Sequence, residues 1–296
     1  LIGNRGFLRR YAQCIFLHMM IIHIADISVR LDLSECRAET REKVENSLEA
    51  FCVKSTVSCD FFIRLKSGMP GERLGQPLFI RDGVTYFEDN ERGIIITDHS
   101  ECCIAWNEKS AEIFLASKVF QCEEVIMDYI KIIISYIAIG KGGLPIHSSA
   151  MFNGLHGALV CYCKSGGGKS TIASLLAPTW EILNDEFTLV LPKATGYSVH
   201  ATPFCSPEKR PFCSDSSRML RKIFKLEKSN SNAVFDMTLR EKYLSVGQCV
   251  YALPVNKRIS EQILANMQDL CSRVPIQTLA FVNDATIAKD IHHLIG

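Results

Sequence analysis

The sequence predicts an α+β protein, with a β-rich N-terminal domain followed by an α/β phosphate-loop domain. Three observations predict it. Apolar residues alternate with polar ones through roughly the first third of the chain. A long apolar stripe at helical spacing follows. After that come a short buried strand, a glycine-rich turn and a helix.

The elements follow in chain order. Arg5, Arg9 and Arg10 precede the run "CIFLHMMIIHIA", a weak match to a signal peptide. His18 and His23 within it, Asp26 after it and the lack of a small-x-small cleavage site argue against that reading. Residues 1–18 are therefore expected to be a leader or a mis-called start, with translation beginning at Met19 or Met20. The β-rich domain is expected over 19–117. Its first strand is "IIHIADISVRLDL", where Ile27, Val29 and Leu31 alternate with Ser28, Arg30 and Asp32. A short helix is expected over 40–51, and a second strand where Phe61, Ile63 and Leu65 alternate with Phe62, Arg64 and Lys66. "VTYFEDNERGIIITD" and "CCIAWNEKSAEIFLAS" read as hairpins.

The second domain, 118–296, opens with a helix carrying Val119, Cys122, Val125, Ile126, Tyr129, Ile130, Ile133 and Ile137 on one stripe. Gly140, Gly142 and Gly143 supply its stop. "GALVCYC" is a short buried strand, Lys169 to Ala177 a helix halted by Pro178, and "WEILNDEFTLVL" a return strand and turn.

Composition narrows the function classes. Of 296 residues, 47% are hydrophobic and 22% charged, which is globular usage. A formal net charge of +1 gives no bulk attraction to nucleic acid or anionic lipid. Nothing approaches the roughly 20 consecutive apolar residues of a bilayer span, so no membrane partner is expected. Thirteen scattered cysteines without paired C-x-x-C units fit reduced thiols, and hence a cytoplasmic protein, better than zinc or disulfides.

The chemistry concentrates in "CYCKSGGGKST", residues 161–171. Its spacing is that of a phosphate loop, G-x-x-x-x-G-K-[ST], with Cys163 at the leading glycine position. Lys164, Ser165, Gly166, Gly167, Gly168, Lys169, Ser170 and Thr171 form the expected nucleotide-binding set. Bare glycine backbone lets successive N–H groups turn toward phosphate oxygens, and the following helix adds the positive end of its dipole. Lys169 would neutralise β- and γ-phosphate charge, while Ser170 would offer a hydroxyl to Mg²⁺. At the leading position a small side chain can point away from the phosphates, so the loop is expected to survive Cys163. Sixteen residues after Lys169, Asp185 ends a hydrophobic stretch, placed to hold Mg²⁺ or take a proton from an attacking hydroxyl, with Glu186 sharing the metal. His147, one strand ahead of the loop, is a further catalytic candidate. Arg221, Lys222 and Lys225 read as a solvated helix face rather than an acceptor groove.

The run from Ile146 to Val190 resembles the catalytic domain of HPr serine kinase/phosphorylase and its shorter relatives, whose core is shared with phosphoenolpyruvate carboxykinase. "GYSVHATPFCS" and "SSRMLRKIFKLEKSNSNAV" extend the resemblance. It implies an α/β phosphate-loop kinase domain using ATP and Mg²⁺. His147 would match the family histidine, Lys164 to Thr171 the loop, and Asp185 and Glu186 the family's acidic pair. The acceptor would be a serine hydroxyl of a peptide, protein or small molecule, with an oligomer left open. Cys163 and Glu186 depart from the family pattern. "KRPF" (209–212) and Arg218 are the candidates for its phosphate-neutralising arginine. The alternative is a nucleotide-binding regulatory module without phosphoryl transfer.

Overall fold

The apolar alternation of the first half folds into one eight-stranded mixed sheet. The computed structural model describes residues 18–53, 58–81, 83–89, 91–116, 122–204, 217–252 and 257–295. The expected leader (all but His18), the expected boundary at 117/118 and "KRPF" lie outside the described residues. The chain divides into two compact units, 1–131 and 132–296. Both are mixed α/β. They hold two large mixed sheets and six α-helices among the described residues.

In the first unit, β1 (Met19–Ile24) and β2 (Ile27–Asp32) form a hairpin where one continuous strand was expected. The reason is local: Ala25 and Asp26 have φ of 54° and 61°. Two successive left-handed residues give the tight turn whose twist suits a hairpin. Helix α1 (Ala38–Leu48) follows, then β3 (Phe61–Ser67), β4 (Phe79–Arg81), β5 (Val84–Glu88), β6 (Arg92–Ile96), β7 (Ser100–Ala105) and β8 (Ser110–Leu115). The spatial order is β1-β2-β3-β8-β7-β6-β5-β4. Along β3 the expected alternation holds: Phe61, Ile63 and Leu65 are buried. On its other face Arg64 pairs with Asp32 at 3.4 Å and Glu112 at 3.6 Å, its cross-strand neighbours on either side. Such a ladder fixes register, because a one-residue slip would invert every side chain.

Helix α2 (Cys122–Gly140) closes with Gly142 at φ +83°, the left-handed residue that ends many helices. Gly142 N–H donates to the Ile139 carbonyl and Gly143 N–H to the Ala138 carbonyl. Buried Asn266 donates to the Ile139 and Gly143 carbonyls, both at 2.9 Å.

The second unit continues with β9 (Leu144–Asn153), β10 (Gly157–Tyr162), α3 (Lys169–Leu176), β11 (Glu181–Asn184), β12 (Phe187–Lys193) and β13 (Gly196–His200). After them come β14 (Arg218–Lys228), β15 (Ala233–Asp236), α4 (Leu239–Gly247), α5 (Lys257–Arg273), β16 (Ile276–Phe281) and α6 (Thr286–Ile295). Among the described residues no helix is long and apolar enough to cross a membrane. Strand β9 is shared between two pairings. Leu144 to His147 pair with β12, and Ser148 to Asn153 pair with β10 and β11. Strand β14 runs parallel to both β10 and β16, and its first residues pair with β13.

Residues 218–228 are thus a strand, which corrects the helical reading of Arg221, Lys222 and Lys225. The pairing register slips between Ala158 and Leu159, so Arg221 is the extra residue of a bulge. The slip puts Leu220 and Ile223, three apart, in one core cluster, and Phe224 and Leu226 in the other. That spacing imitates a helix.

Candidate functional site

The glycine loop is positioned by a strand buried on both faces. Ala158, Val160 and Tyr162 enter one core cluster, while Leu159, Cys161 and Cys163 enter the other. A continuous apolar run is what such a strand requires. Cys163 is the last step of that alternation. Its side chain packs in the cluster that holds Ile172 and Leu176 of α3 and Ile287, Ile291 and Ile295 of α6. A residue at the leading position can therefore keep a side chain, because that side chain belongs to the core.

Gly167 accommodates it. A Cβ on Gly167 would lie 2.6 Å from Cys163 Sγ and 2.8 Å from its Cβ. Gly166 and Gly168 take φ of +76° and +109°, where L side chains are strained. A Cβ on Gly168 would also meet the Phe281 ring at 2.8 Å. The Gly167 N–H donates to the Lys164 carbonyl at 3.0 Å, which closes the turn. Lys169 is 9% exposed, and its Nζ donates to the Cys163 carbonyl at 3.3 Å. Lys164, Ser165 and Ser170 are exposed, and Thr171 is half-buried. A cradle of bare backbone beside a buried ammonium fits a polyphosphate.

The carboxylates arrive by strand order. Strands β10 and β11 both run antiparallel to β9, so both end at one edge of the sheet. Tyr162 faces Ser148 and Asn184 faces Ala150, two residues apart along β9. Two inter-strand steps of about 4.8 Å separate the loop strand from the acid strand. Asp185 is buried and Glu186 exposed. His147, half-buried, is on β9 at the same edge, and its N–H donates to the Cys249 carbonyl at 2.7 Å. Ser148 N–H donates to the Glu186 carbonyl at 3.1 Å. The loop, His147, Asp185 and Glu186 thus share one edge.

Arg218 does not join them. It begins β14, and because β14 is parallel to β10 it lies at the opposite edge from the loop. There it pairs with Glu181 at 3.4 Å and stacks over Phe152 at 4.7 Å. Lys225 is the cation that β14 brings beside the loop, in register with Tyr162.

Two residues outside the expected set hold the acidic turn. Asn184 donates to the His200 carbonyl at 2.8 Å and accepts from Thr202 N–H at 2.9 Å and Thr202 Oγ1 at 3.1 Å. The single Thr202 hydroxyl proton is shared between Asn184 Oδ1 and the nearer Phe187 carbonyl, at 2.8 Å. Both side chains are buried, so the backbone on each side of Asp185 and Glu186 is tied into a satisfied polar network. The sequence signal was the asparagine directly before the acids. Cys249 borders the site as well: burial pushes its thiol up, and the nearby Lys169 ammonium partly offsets that.

Among the described residues no group of three or more His, Cys, Asp or Glu side chains could hold a metal by itself. The oxygen donors at this edge are Ser170, Asp185 and Glu186. Mg²⁺ is commonly held by one or two carboxylates together with substrate phosphates.

Comparison with known proteins corrects one expectation. Residues 115–294 match the family described as ScmC, SynChlorMet cassette protein. The run from Ile146 to Val190, read as HPr serine kinase-like, falls wholly inside this match to a different family. Its glycine loop, helix and strand-end acid are demanded by phosphate binding in general, so they do not specify a family. No curated protein matches the chain. The match spans more than half of the sequence, and the chain belongs to the ScmC family of SynChlorMet cassette proteins.

Proposed function

We propose that the chain is an ATP-dependent kinase that transfers the γ-phosphoryl group to a serine-type hydroxyl. One observation carries this reading: a glycine loop with a buried lysine shares a sheet edge with a buried aspartate two strands away. The loop amides from Lys164 to Thr171 bind phosphate oxygens, and Lys169 neutralises their charge. Ser170, Asp185 and Glu186 are the donors for Mg²⁺, which when bound supplies further neutralisation of phosphate charge. Asp185 accepts the proton of the attacking hydroxyl, and burial keeps competing water from it. His147 lies within the same group and orients the phosphoryl group or its acceptor. Positioning and charge neutralisation carry most of such catalysis, so a rigid edge matters more than a reactive side chain.

The test is transfer of labelled γ-phosphate from Mg-ATP to free serine and to serine-containing peptides. Lys169→Ala serves as the blank. Label that vanishes in Lys169→Ala and in Asp185→Asn, with nucleotide still bound by Asp185→Asn, is the expected result. Nucleotide binding with no label on any acceptor would instead favour a regulatory module without transfer chemistry.

A further inference from the structure

A cleft of about 490 Å³ opens beside the first residue of the loop. Its floor is a row of cross-strand neighbours. Lys225 of β14 faces Thr278 of β16, which faces Phe235 of β15. That row begins level with Tyr162, the last residue of the loop strand. Lys164 and the α4 residues Glu241, Leu244 and Ser245 form the walls. Ser245 is tied to the loop strand through Tyr162, hydroxyl to hydroxyl at 2.8 Å.

Several of the charged groups that line this cleft already have partners. Lys225 pairs with Glu227 at 2.6 Å, Asp236 accepts from Gln277 at 2.7 Å, and Glu241 caps α4 through Thr238. Among them the cleft also exposes two large apolar side chains. Phe235 is 56% exposed and Leu244 57%, and both line the cleft that Lys164 of the loop also borders. Exposed large apolar side chains gathered at a concavity mark a binding site.

The geometry sets the size of the occupant. From β10 across β14 and β16 to β15 is three inter-strand steps, about 14 Å at roughly 4.8 Å each. An extended chain covers that in about four residues at roughly 3.3 Å each. A free amino acid with its hydroxyl at the loop cannot reach Phe235. A second cleft, of about 500 Å³, lies where the strands begin, at the opposite edge from the loop.

Resting on the kinase reading, we propose that this cleft binds a polypeptide acceptor. The occupant seats an apolar side chain against Phe235 and Leu244, about four residues from the serine it presents to the loop. Phe235 and Leu244 are then specificity-determining residues.

The test uses serine-centred peptide libraries with one apolar residue fixed in turn at each flanking position. Direct binding and transfer of labelled γ-phosphate are measured for the wild-type chain, Phe235→Ala and Leu244→Ala, with affinity for a non-hydrolysable ATP analogue as the control. The expected result is a preference for the apolar residue about four positions from serine. Each variant should lose that preference and about ten-fold in peptide affinity, with nucleotide affinity unchanged. Peptide binding of this pattern without label supports the cleft and sinks the kinase reading. Label on free serine as efficient as on any peptide overturns the cleft and leaves the kinase reading standing. Peptide binding that is indifferent to Phe235→Ala also overturns it.

Discussion

Gly167→Ala is the sharpest test of why the loop tolerates Cys163. The added methyl would sit 2.6 Å from Cys163 Sγ, 2.8 Å from Cys163 Cβ and 3.0 Å from the Lys164 carbonyl oxygen. Real Cβ atoms do not sit under 3.0 Å from a neighbour, so the cysteine or the loop must shift. Cys163 cannot swing away freely, because it is 7% exposed and packed in the cluster with α3 and α6. Overpacking of this kind costs about 1–3 kcal/mol. In a domain of this size that lowers Tm by a few degrees per kcal/mol, roughly 2–4 °C each. Cys163→Gly on its own removes the packed thiol and leaves a small void. In the double variant the two changes share one space, so the coupling should be favourable by about 1 kcal/mol or more.

Gly168→Ala is the internal control. Its Cβ would meet Phe281 at 2.8 Å, but φ there is +109°, so Phe281→Leu relieves the contact and not the backbone strain. Urea unfolding of the single and double variants gives the cycle, and affinity for an ATP analogue reports the loop itself. A neutral Gly167→Ala, or a double variant no better than the sum of the singles, refutes the shared-space account.

Other consequences are independent of that loop. Asn266→Ala should cost about 1–3 kcal/mol in urea unfolding, because removing the buried amide takes a donor from the Gly143 carbonyl and leaves the Ile139 carbonyl with the Gly142 N–H. Asn184→Ala should lower phosphoryl transfer and leave nucleotide affinity near wild type, since it loosens the acidic turn and not the loop; an unchanged transfer rate counts against the positioning role. The Tyr197 hydroxyl, at 2.6 Å, and Arg273, at 3.0 Å, hold the Asp269 carboxyl below the ordinary aspartate value of about 3.9. A depressed carboxyl contributes stability above its unfolded value and loses it as pH falls through the lower folded one. Acid unfolding of Asp269→Asn should therefore be flatter than wild type below about pH 4. Burial raises the Cys161, Cys249 and Cys271 thiols, so in the native state they should resist alkylation that marks exposed Cys52. Mass spectrometry after a brief pulse of iodoacetamide checks it.

Local patterns carried much of this architecture. Period-two alternation gave β3 and the β5–β6 and β7–β8 hairpins, and the three glycines gave the end of α2. The strand, loop and helix of the site were legible because a strand buried on both faces, a bare glycine turn and a short helix each leave a local pattern. What stayed hidden was of two kinds. One was backbone conformation without its usual residue: Ala25 and Asp26 adopt left-handed angles that glycine or asparagine would have announced. The other was non-local. Nothing in residues 161–171 tells that β10 pairs with a strand sixty residues later, and the bulge at Arg221 disguised that strand as a helix. Non-local contact also hid Asn184 with Thr202, 18 residues on, and Phe235 in the cleft that Lys164 borders.

The pairing of β10 with β14 also bears on how the site comes into being. The whole motif from Cys163 to Asp185 lies upstream of β14, and β14 itself is braced by β16, some fifty residues further on. Parallel neighbours so far apart form slowly, since the intervening chain must be closed into a loop before any contact repays the cost. During synthesis the glycine loop therefore emerges early but is fixed late. A chain ending after β13 would contain every residue of the phosphate motif and still lack the strand that holds it.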